Sequence, residues 1–561
     1  MKTRTFAILA AFIAAAAAGI APAVRAQQAT ADLVLTNGKI ITVDDRFSIV
    51  QAVAVRGDRV MAVGTNQDIN RLAGPNTRRV DLRGRAVTPG MIDHHAHLWR
   101  AAATWQEELR LDGVDTRKAA LEMVRAKARS LGPGEWVHTI GGWSIDQFSD
   151  DKRPFTREEL DAAAPANPVL LQFTRSTTYL NSRALQMLGI DDKMPTDAWV
   201  EREPSGRPTG RIVEPGLAPI LAKLPAPPKE SYEPSALAMI RDMNRAGLTA
   251  AGVAGCPADQ EAVYQRLKSQ NRLNMRFFCE RAANTGGTAE SVERGLPQIA
   301  QIKLFQGDNY IDSVRYGETV FQPLHDNMLS PTTNPRPDQL VLWRRIATEV
   351  AKAGLPLFVH ATIEGTIGPF LDQIEAVSKE YPINNLRWSL GHIDQITRAH
   401  LDRMKKLNMY AAVGARPAVM GEIFRRSHGQ RVMESPNLKM IQDSGIMWGL
   451  HSDTTEVNQY RPFTTLGWAV TGEMVGGSKV LRTTISREDA LIAHTRHNAF
   501  FVFQEDNLGS IAPGKLADLL VLDRDYLTVP ADEIKDIKPI MAIVGGRVVY
   551  DAAAPASTAR R

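Results

Sequence analysis

The feature that most constrains this fold is an alternation of short β-rich apolar runs with helical segments through the middle of the chain. Helix-like stretches such as residues 338–354, DQLVLWRRIATEVAKAG, separate several of the runs. Eight strand–helix units predict an α/β fold, a (β/α)₈ TIM barrel, with its active site at the carboxyl ends of the strands. The eight candidate strands are AVTPGMIDHHAH, GLTAAGVAGC, NMRFFCE, QIKLFQ, LPLFVHA, LRWSLGHI, NMYAAVG and GIMWGLHSD.

The first connection of the barrel, about residues 98–245, is far longer than an ordinary crossover. Within it, FTREELDAAAP places Thr156 and Glu159 at capping-box spacing before a helix. A connection of this length predicts an inserted substructure, which we expect to cover the barrel mouth.

Both ends of the chain contain alternating apolar runs broken by turn signals. The turns are Asn37-Gly38 and Gly57-Asp58 near the start and Gly545-Gly546 near the end, all typical of hairpins. We therefore expect one small β-sandwich domain built from residues 27–85 and 505–552, with the barrel occupying residues 86–504.

Residues 1–26, MKTRTFAILAAFIAAAAAGIAPAVRA, have the composition of a cleaved secretory signal. A basic start precedes an apolar run from Phe6 to about Ile20, and small residues surround Ala26. The run is short for a membrane-spanning helix, which needs about 20 apolar residues. The sequence predicts export to the periplasm, with secretion as the alternative, and a mature chain that begins near Gln27.

Charge and cysteine content narrow the expected partners. The formal charge is +5, and removal of three basic residues with the signal leaves +2. A near-neutral chain favours a small-molecule substrate over nucleic acid or a membrane surface, and homo-oligomer formation stays open. Cys256 and Cys279 are too few for a disulfide-built fold; they could pair after export, but we expect buried free thiols.

The stretch TPGMIDHHAHLW, residues 88–99, concentrates three histidines and an aspartate at the end of the first strand. Side chains two residues apart share one face of a strand, so Asp93, His95 and His97 point one way and His94 the other. Two imidazoles on one face suit a metal that takes nitrogen ligands. A strand end with hydrogen-bonded histidines explains an isolated pair equally well.

Further candidate ligands lie at other predicted strand ends. Because these ends meet at one mouth of a barrel, we expect the side chains to converge. They are Lys303 in the fourth strand, His360 in the fifth, His392 in the sixth and Asp453 in the eighth.

These residues, in this order, resemble the ligand set of the amidohydrolase superfamily. The motifs VTPGMIDHHAHL, PFTREELDAAAPANPVLLQ, NSRAL, GLTAAG, IKLF, FVHA, RWSLGHID, HSD and LGSIAPGKLADLLVLD are similar to those of its amidohydrolase-3 branch, which includes the N-substituted formamide deformylases. The resemblance covers nearly all of the predicted mature chain.

The resemblance implies two divalent metal ions, commonly zinc, bridged by a lysine that CO₂ has carboxylated. By carry-over, His95 and His97 hold one ion, His360 and His392 the other, the Lys303 carbamate spans both, and Asp453 touches the first. Such a centre lowers the pKa of water and polarises a carbonyl group. Asp453 is then the expected catalytic proton carrier, as general base and then general acid.

Other polar residues are weaker candidates for a role at the site. Asp93 is a candidate to orient a ligand histidine, and His94 a packing group or outer partner of the centre. His451, Trp143, Arg315 and Arg461 are candidate substrate-binding residues, although a structural role explains each of them as well. The spacing of the remaining histidines does not argue for ligation: His138, His325, His400, His428, His494 and His497.

Two departures from the branch limit the substrate assignment. FQGDNY stands where relatives continue toward Asp-Gly after the metal lysine, which predicts a rearranged loop after the fourth strand, and FTRSTTYLNSRAL lacks a common histidine. The favoured reaction is hydrolysis of a non-peptide C–N bond, in an amide, formamide, carbamate, urea or cyclic amide. Alternatives are an ester, lactone or phosphoester hydrolase or an isomerase with the same metals, and a noncatalytic periplasmic binding protein.

Overall fold

The computed structural model describes residues 30–174, 177–191, 199–213, 220–329 and 335–554. The predicted signal segment and its cleavage site lie outside these residues. Within them, no helix has both the length and the apolar character needed to cross a bilayer.

Strands are numbered along the chain. They are β1 Ala31–Thr36, β2 Lys39–Ile41, β3 Ile49–Val50, β4 Ala52–Arg56, β5 Arg59–Gly64, β6 Ala73–Asp81, β7 Ala86–Pro89, β8 Met91–Ala96, β9 Val137–Thr139, β10 Val169–Phe173, β11 Thr177–Leu180, β12 Val200–Arg202, β13 Pro208–Val213, β14 Leu248–Val253, β15 Arg276–Arg281, β16 Ile311–Tyr316, β17 Phe358–Ala361, β18 Ser389–His392, β19 Tyr410–Gly414, β20 Trp448–His451, β21 Leu519–Leu522, β22 Pro539–Val544 and β23 Arg547–Asp551.

Most of the helices connect or cover these strands. The α-helices are Asn66–Arg71, Leu98–Thr104, Arg117–Ser130, Arg157–Ala163, Ser182–Leu188, Tyr232–Ala246, Ala258–Ser269, Ala289–Ile299, Pro337–Lys352, Glu364–Glu380, Arg398–Lys406, Pro417–His428, Leu438–Asp443, Pro462–Thr471, Arg487–His494 and Arg496–Phe501. Short 3₁₀ helices are Ile145–Gln147, Lys229–Ser231, Gln322–Leu324, Gly429–Glu434 and Ala531–Asp536.

Eight parallel strands form two four-stranded sheets, in the orders β16-β15-β14-β8 and β17-β18-β19-β20. A parallel bridge between Tyr316 and Leu357 joins the sheets at one edge. At the other edge the backbone N–H of Asp453 donates to the carbonyl of His95 at 3.3 Å. The amide of Asn498 also donates to carbonyls of β8 and β20 there, at 2.6 Å each. The carboxyl ends of all eight strands therefore lie on the same side of the molecule.

Seven of the eight predicted segments overlap the observed strands, but the fourth assignment is wrong. Residues 300–310 are irregular after the helix Ala289–Ile299, and the strand is β16 instead. The segment FQGDNY therefore precedes the strand rather than following it. Lys303 is exposed in this irregular segment, because the apolar pattern that buries a strand begins only at Ile311.

Strands from both chain ends pair in a six-stranded sheet of order β23-β22-β21-β7-β2-β3, beside a four-stranded sheet β5-β4-β1-β6. One apolar cluster contains Leu35 and Val53 of the smaller sheet and Val87 and Leu519 of the larger, so the two sheets share a core. The predicted first barrel strand is divided at Gly90: β7 joins the six-stranded sheet, and only β8 belongs to the parallel strands.

Two of the three predicted hairpins are present. Gly57-Asp58 joins the antiparallel pair β4–β5, and Gly545-Gly546 joins β22–β23. The prediction at Asn37-Gly38 is wrong, because β1 and β2 lie in different sheets. Asn37 has a φ of 56°, and a side chain on Gly38 would collide with Leu82, so this turn passes the chain tightly between the two sheets.

The long connection after β8 contains its own five-stranded sheet, of order β12-β13-β11-β10-β9. Thr156 and Glu159 form the predicted capping box at the helix Arg157–Ala163. The connection reaches the carboxyl side of the parallel strands, where the N–H of Gly142 donates to the carbonyl of Glu456 at 2.9 Å.

The two cysteines form a disulfide, contrary to the expectation of free thiols. Cys256 follows β14 and Cys279 lies on the neighbouring strand β15, where Val253 pairs with Cys279. This register brings their Cα atoms within 5.8 Å, a normal separation for a bonded pair.

Candidate metal centre

Six histidine and carboxylate side chains converge at the carboxyl ends of the parallel strands. His97 and Asp453 follow β8 and β20, and Glu318 follows β16. His95, His360 and His392 lie on β8, β17 and β18. Parallel strands bring these positions together although the residues span more than half of the chain.

The carboxylate of Glu318 lies between two pairs of histidines. Its Oε2 is 3.5 Å from Nε2 of both His95 and His97. Its Oε1 is 2.7 Å from Nδ1 of His360 and 3.1 Å from Nε2 of His392. One oxygen thus faces each pair, which is the arrangement required of a bridging ligand.

Asp453 completes the cluster on the side of the first pair. Its Oδ1 is 3.1 Å from Nε2 of His97 and 3.7 Å from Nε2 of His95, and its Oδ2 is 3.8 Å from Nδ1 of His392. Asp453 and His392 both have positive φ, 63° and 70°. These left-handed conformations, which are costly outside glycine, help to turn the side chains into the cluster.

Glu280 supports the centre from β15. Its Oε1 lies 3.0 Å from Nδ1 of His95, and Nε of Arg315 donates to the same oxygen at 3.0 Å. A carboxylate on the outer ring nitrogen fixes the orientation of a ligand histidine. The sequence assigned that position to Asp93, which instead accepts from the backbone N–H of Ser452 at 3.2 Å and from its hydroxyl.

Asp326 has a corresponding place beside His360. The carboxylate accepts from the backbone N–H groups of Thr362 and Ile363 at 2.9–3.0 Å and from two threonine hydroxyls. Its Oδ1 is 3.1 Å from Nε2 of His360, and its backbone oxygen is 2.7 Å from the same nitrogen. These contacts fix the His360 ring against Glu318.

The buried carboxylates dominate the electrostatics of the cluster. Burial lowers the pKa of His95, but Glu280 and Glu318 outweigh burial and raise that pKa to about 10. In the same way Asp326 and Glu318 raise the pKa of His360 to about 9. Burial raises the pKa of Glu318, and the facing histidines overcome it and hold that pKa well below its usual range. The carboxylates therefore favour positive charge at His95 and His360, whereas burial outweighs them at His392 and lowers its pKa to about 3.

The donor set fits divalent metal ions. Two sets of three ligand atoms, from His95, His97 and Asp453 and from His95, Glu318 and His392, each lie within 4.8 Å of one another. Nε2 of His95 and Nδ1 of His392 are buried without a hydrogen-bond partner among the described residues. Nitrogen and carboxylate oxygen are the ligands that zinc takes in proteins. His360 belongs to neither set, although its ring contacts the same carboxylate.

A cavity of about 480 Å³ opens over the cluster. His97, Glu318, His360 and Asp453 form part of its wall, and Arg416 is a further polar lining residue. Thr174 of the long connection also lines it. The reactive side chains are therefore accessible to a small molecule, and the inserted substructure contributes to the enclosure.

Several predicted site residues lie elsewhere. Lys303 is exposed and outside the cluster, so it cannot bridge ions bound there. His451 is buried beneath the cluster, with ring centroids 4.9 Å from His392 and 5.0 Å from His94, and does not line the cavity. His94 stacks on Phe501 at 4.4 Å, which agrees with a packing role.

The remaining substrate-binding candidates have structural contacts. The indole of Trp143 donates to the carbonyl of Gln172 at 2.7 Å inside the core of the long connection. Arg315 is held by Glu280 and by the carbonyl of His94. Arg461 donates to the carbonyl of Lys535 at 3.2 Å, and none of the three side chains lines the cavity over the cluster.

The chain is similar to known proteins over most of its length. A family model described as amidohydrolase family matches residues 78–550. The N-substituted formamide deformylase of Arthrobacter pascens is 27% identical over 548 residues, covering 93% of this chain and 98% of that protein. The putative amidohydrolase YtcJ of Bacillus subtilis is 23% identical, with coverages of 92% and 98%.

Solved structures show the same fold. An uncharacterized metal-dependent hydrolase from Pyrococcus furiosus superimposes with a TM-score of 0.60 at 20% identity, covering 88% of this chain and all of that one. The atrazine chlorohydrolase TrzN of Arthrobacter aurescens TC1, complexed with zinc, gives a TM-score of 0.52 at 14% identity, with coverages of 94% and 96%. The family match over most of the chain, with the buried histidine and carboxylate cluster at the strand ends, shows that the chain belongs to the amidohydrolase family, in its amidohydrolase-3 branch, and is a metal-dependent hydrolase of carbon–nitrogen bonds other than peptide bonds.

Proposed function

We propose that this protein hydrolyses the C–N bond of a small amide, formamide, carbamate, urea or cyclic amide at a centre of two divalent ions bridged by Glu318. The observation that carries the proposal is the position of the Glu318 carboxylate. One of its oxygens faces His95 and His97, and the other faces His360 and His392. An anionic oxygen for each ion is what a lysine carbamate would otherwise provide, so no modification of Lys303 is needed.

In this proposal His95, His97 and Asp453 would hold one ion, His360 and His392 would hold the other, and Glu318 would supply an oxygen to each. Zinc is the favoured metal, since the donors are imidazole and carboxylate and the similar chlorohydrolase structure is a zinc complex. When bound, the ions supply Lewis acidity, which lowers the pKa of water and polarises the carbonyl group.

Asp453 is proposed to move the proton. Its carboxylate borders both the cavity and the first pair of histidines. It accepts a proton from the water that forms the new C–O bond and returns it to the nitrogen as the C–N bond breaks. Protonation matters because an amine anion is a poor leaving group. Burial raises the pKa of Asp453, but the facing histidines outweigh burial and hold that pKa far below its usual range, so the carboxylate is ionised in the metal-free protein.

Two structural assignments belong to the same proposal. We infer that the two parallel sheets close into one (β/α)₈ barrel, and that the two sheets with a shared core form the small β-sandwich domain.

We also propose that the chain is exported to the periplasm. The Cys256–Cys279 disulfide supports this, because disulfides persist mainly in oxidising compartments.

The test combines metal analysis with a substrate screen. The purified protein, loaded with zinc, is expected to hold about two ions per chain and to release amine from N-substituted formamides and cyclic amides. Matched esters separate this activity from an esterase. Two bound ions with turnover of the esters alone would overturn the C–N assignment, and one tightly bound ion with full activity would overturn the two-ion centre.

A further inference from the structure

The cavity over the metal centre contains one permanent cation. Among the described residues that line it, Arg416 is the one arginine or lysine. Arg416 follows β19 and directly precedes the helix Pro417–His428, between the strand ends that carry His392 and Asp453. It is only 5% exposed, so its position is set by the fold rather than by solvent.

The guanidinium of Arg416 is only partly used by the protein. Its Nη2 donates to Asp394, a buried residue two positions after His392. Its Nε is buried and has no hydrogen-bond partner among the described residues. An arginine carries five N–H donors in a planar fork that matches a carboxylate. Asp394 therefore fixes the side chain. Nη1 makes no hydrogen bond to the described residues and is not among the buried atoms, so it is the donor that Arg416 leaves for a ligand in the cavity that it lines.

The charges around the cavity are compatible with an anion. The negative charge of Asp394 neutralises the positive charge of Arg416, and Arg100 neutralises Glu456 in an ion pair of 2.5 Å. The carboxylates of Glu318, Asp326 and Asp453 carry three negative charges, whereas the two proposed divalent ions carry four positive ones. A negatively charged substituent would thus not be repelled by the loaded site.

Another part of the wall is apolar. Met328, Met420 and Phe424 line the cavity and belong to one buried cluster. Methionine side chains adapt to apolar groups of different shape. The cavity therefore offers a carboxylate-binding group and an apolar surface beside the same reactive centre.

We propose that Arg416 binds a carboxylate of the substrate, so that the preferred substrates are N-formyl or N-acyl compounds that carry both a carboxylate and an apolar group beside the scissile amide. This inference rests on the proposed function, because the amide must be hydrolysed at the neighbouring metal centre. It assigns Arg416 to substrate recognition and not to proton transfer.

The test uses two substrates that differ only in the carboxylate: racemic N-formylphenylalanine and N-formyl-2-phenylethylamine. We expect the zinc-loaded protein to have the higher kcat/KM for the carboxylate substrate. In Arg416→Met this preference should fall about 10- to 100-fold, the effect of losing a charge-assisted hydrogen bond. Arg416→Lys keeps the positive charge but not the planar fork of donors, so it should lose part of the preference for the carboxylate substrate. It replaces Arg416→Met in the test if the methionine variant does not fold.

Arg425→Met is the matched control. Arg425 lies on the same helix, pairs with Glu422 at 2.6 Å and does not line this cavity, so the preference should be retained. Equal kcat/KM for both substrates in the wild type, or an unchanged preference in the Arg416 variants, would overturn the inference.

A failure of the proposed function gives a different result. If neither formamide is hydrolysed, calorimetry with N-acetylphenylalanine and N-acetyl-2-phenylethylamine measures recognition alone. Tighter binding of the carboxylate ligand to the wild type, lost in Arg416→Met, supports the role of Arg416. Equal binding of the two ligands refutes it.

Discussion

Replacing Glu318 by glutamine tests the bridging carboxylate directly. The change keeps the size of the side chain but removes its negative charge and gives one of its two ends N–H donors. Both oxygens of Glu318 face histidines, at 2.7–3.5 Å, so whichever end becomes the amide nitrogen loses its ability to hold an ion. We expect Glu318→Gln to lose bound metal and, with it, activity.

A minimum value for the loss of metal-binding free energy in Glu318→Gln follows from the charges in the structure. A pair of unit charges at 4 Å interacts by about 4 kcal/mol at an effective dielectric constant of 20. If the amide retains half of that attraction, the loss is about 2 kcal/mol, which is roughly a 30-fold weaker Kd. The true loss for divalent ions should be larger, because their charge is doubled.

Lys303→Ala is the matched control. Lys303 is exposed and outside the cluster, so its removal should leave both metal content and turnover unchanged. Metal per chain is measured by elemental analysis after dialysis at fixed free zinc, with circular dichroism as a check of folding. If Glu318→Gln kept two ions and full activity while Lys303→Ala lost both, the assignment of the bridge to Glu318 would be wrong.

Four further changes have defined outcomes. Asp453→Asn should keep most of the metal but slow amide turnover by about 10²–10⁴-fold, as general acid–base groups do; turnover close to the wild-type rate would exclude it as the proton carrier. Glu280→Gln should weaken zinc binding by about 10–100-fold, the usual effect of losing an outer carboxylate, and unchanged zinc titrations would contradict its role. Reductant should lower the free energy of unfolding of the wild type by about 3 kcal/mol, because the disulfide closes a loop of 23 residues, and should not affect the variant in which Cys256 and Cys279 are alanine. Burial lowers the pKa of His494 to about 4, so the folded state binds fewer protons than the unfolded one, and stability should fall as the pH drops from 6.5 toward 4. Between pH 7.5 and 5, the free energy of unfolding measured with urea should therefore fall by about 2 kcal/mol less in His494→Gln than in the wild type. Equal decreases in the two proteins would show that His494 does not contribute.

The parts of the structure that the sequence predicted have strong local signals. His95, His97, His360, His392 and Asp453 each follow or end an apolar run that is buried in the structure, so their strands and their common edge could be inferred. The capping box at Thr156 and the hairpins at Gly57 and Gly545 are likewise decided by a few neighbouring residues.

The parts that were missed depend on contacts between distant segments. Glu280 on β15 contacts a histidine of β8, and Arg416 lines the cavity from the loop after β19, so no spacing along the chain reveals either. The disulfide depends on the pairing register of β14 and β15, which a sequence pattern does not specify.

The fourth parallel strand shows how one misplaced strand changes which residue is expected to bridge the metal ions. Residues 301–306, QIKLFQ, and residues 311–316, IDSVRY, each contain three apolar residues of six, and the first contains the lysine that the family pattern expects. Burial distinguishes them: five of the six residues of β16 are buried, whereas Lys303 and Phe305 are exposed. Moving the strand to residues 311–316 brings Glu318 to its carboxyl end, where the lysine was expected. In the proposed centre, an ordinary carboxylate would thereby supply an anionic oxygen to each ion, and we expect the activity not to depend on CO₂.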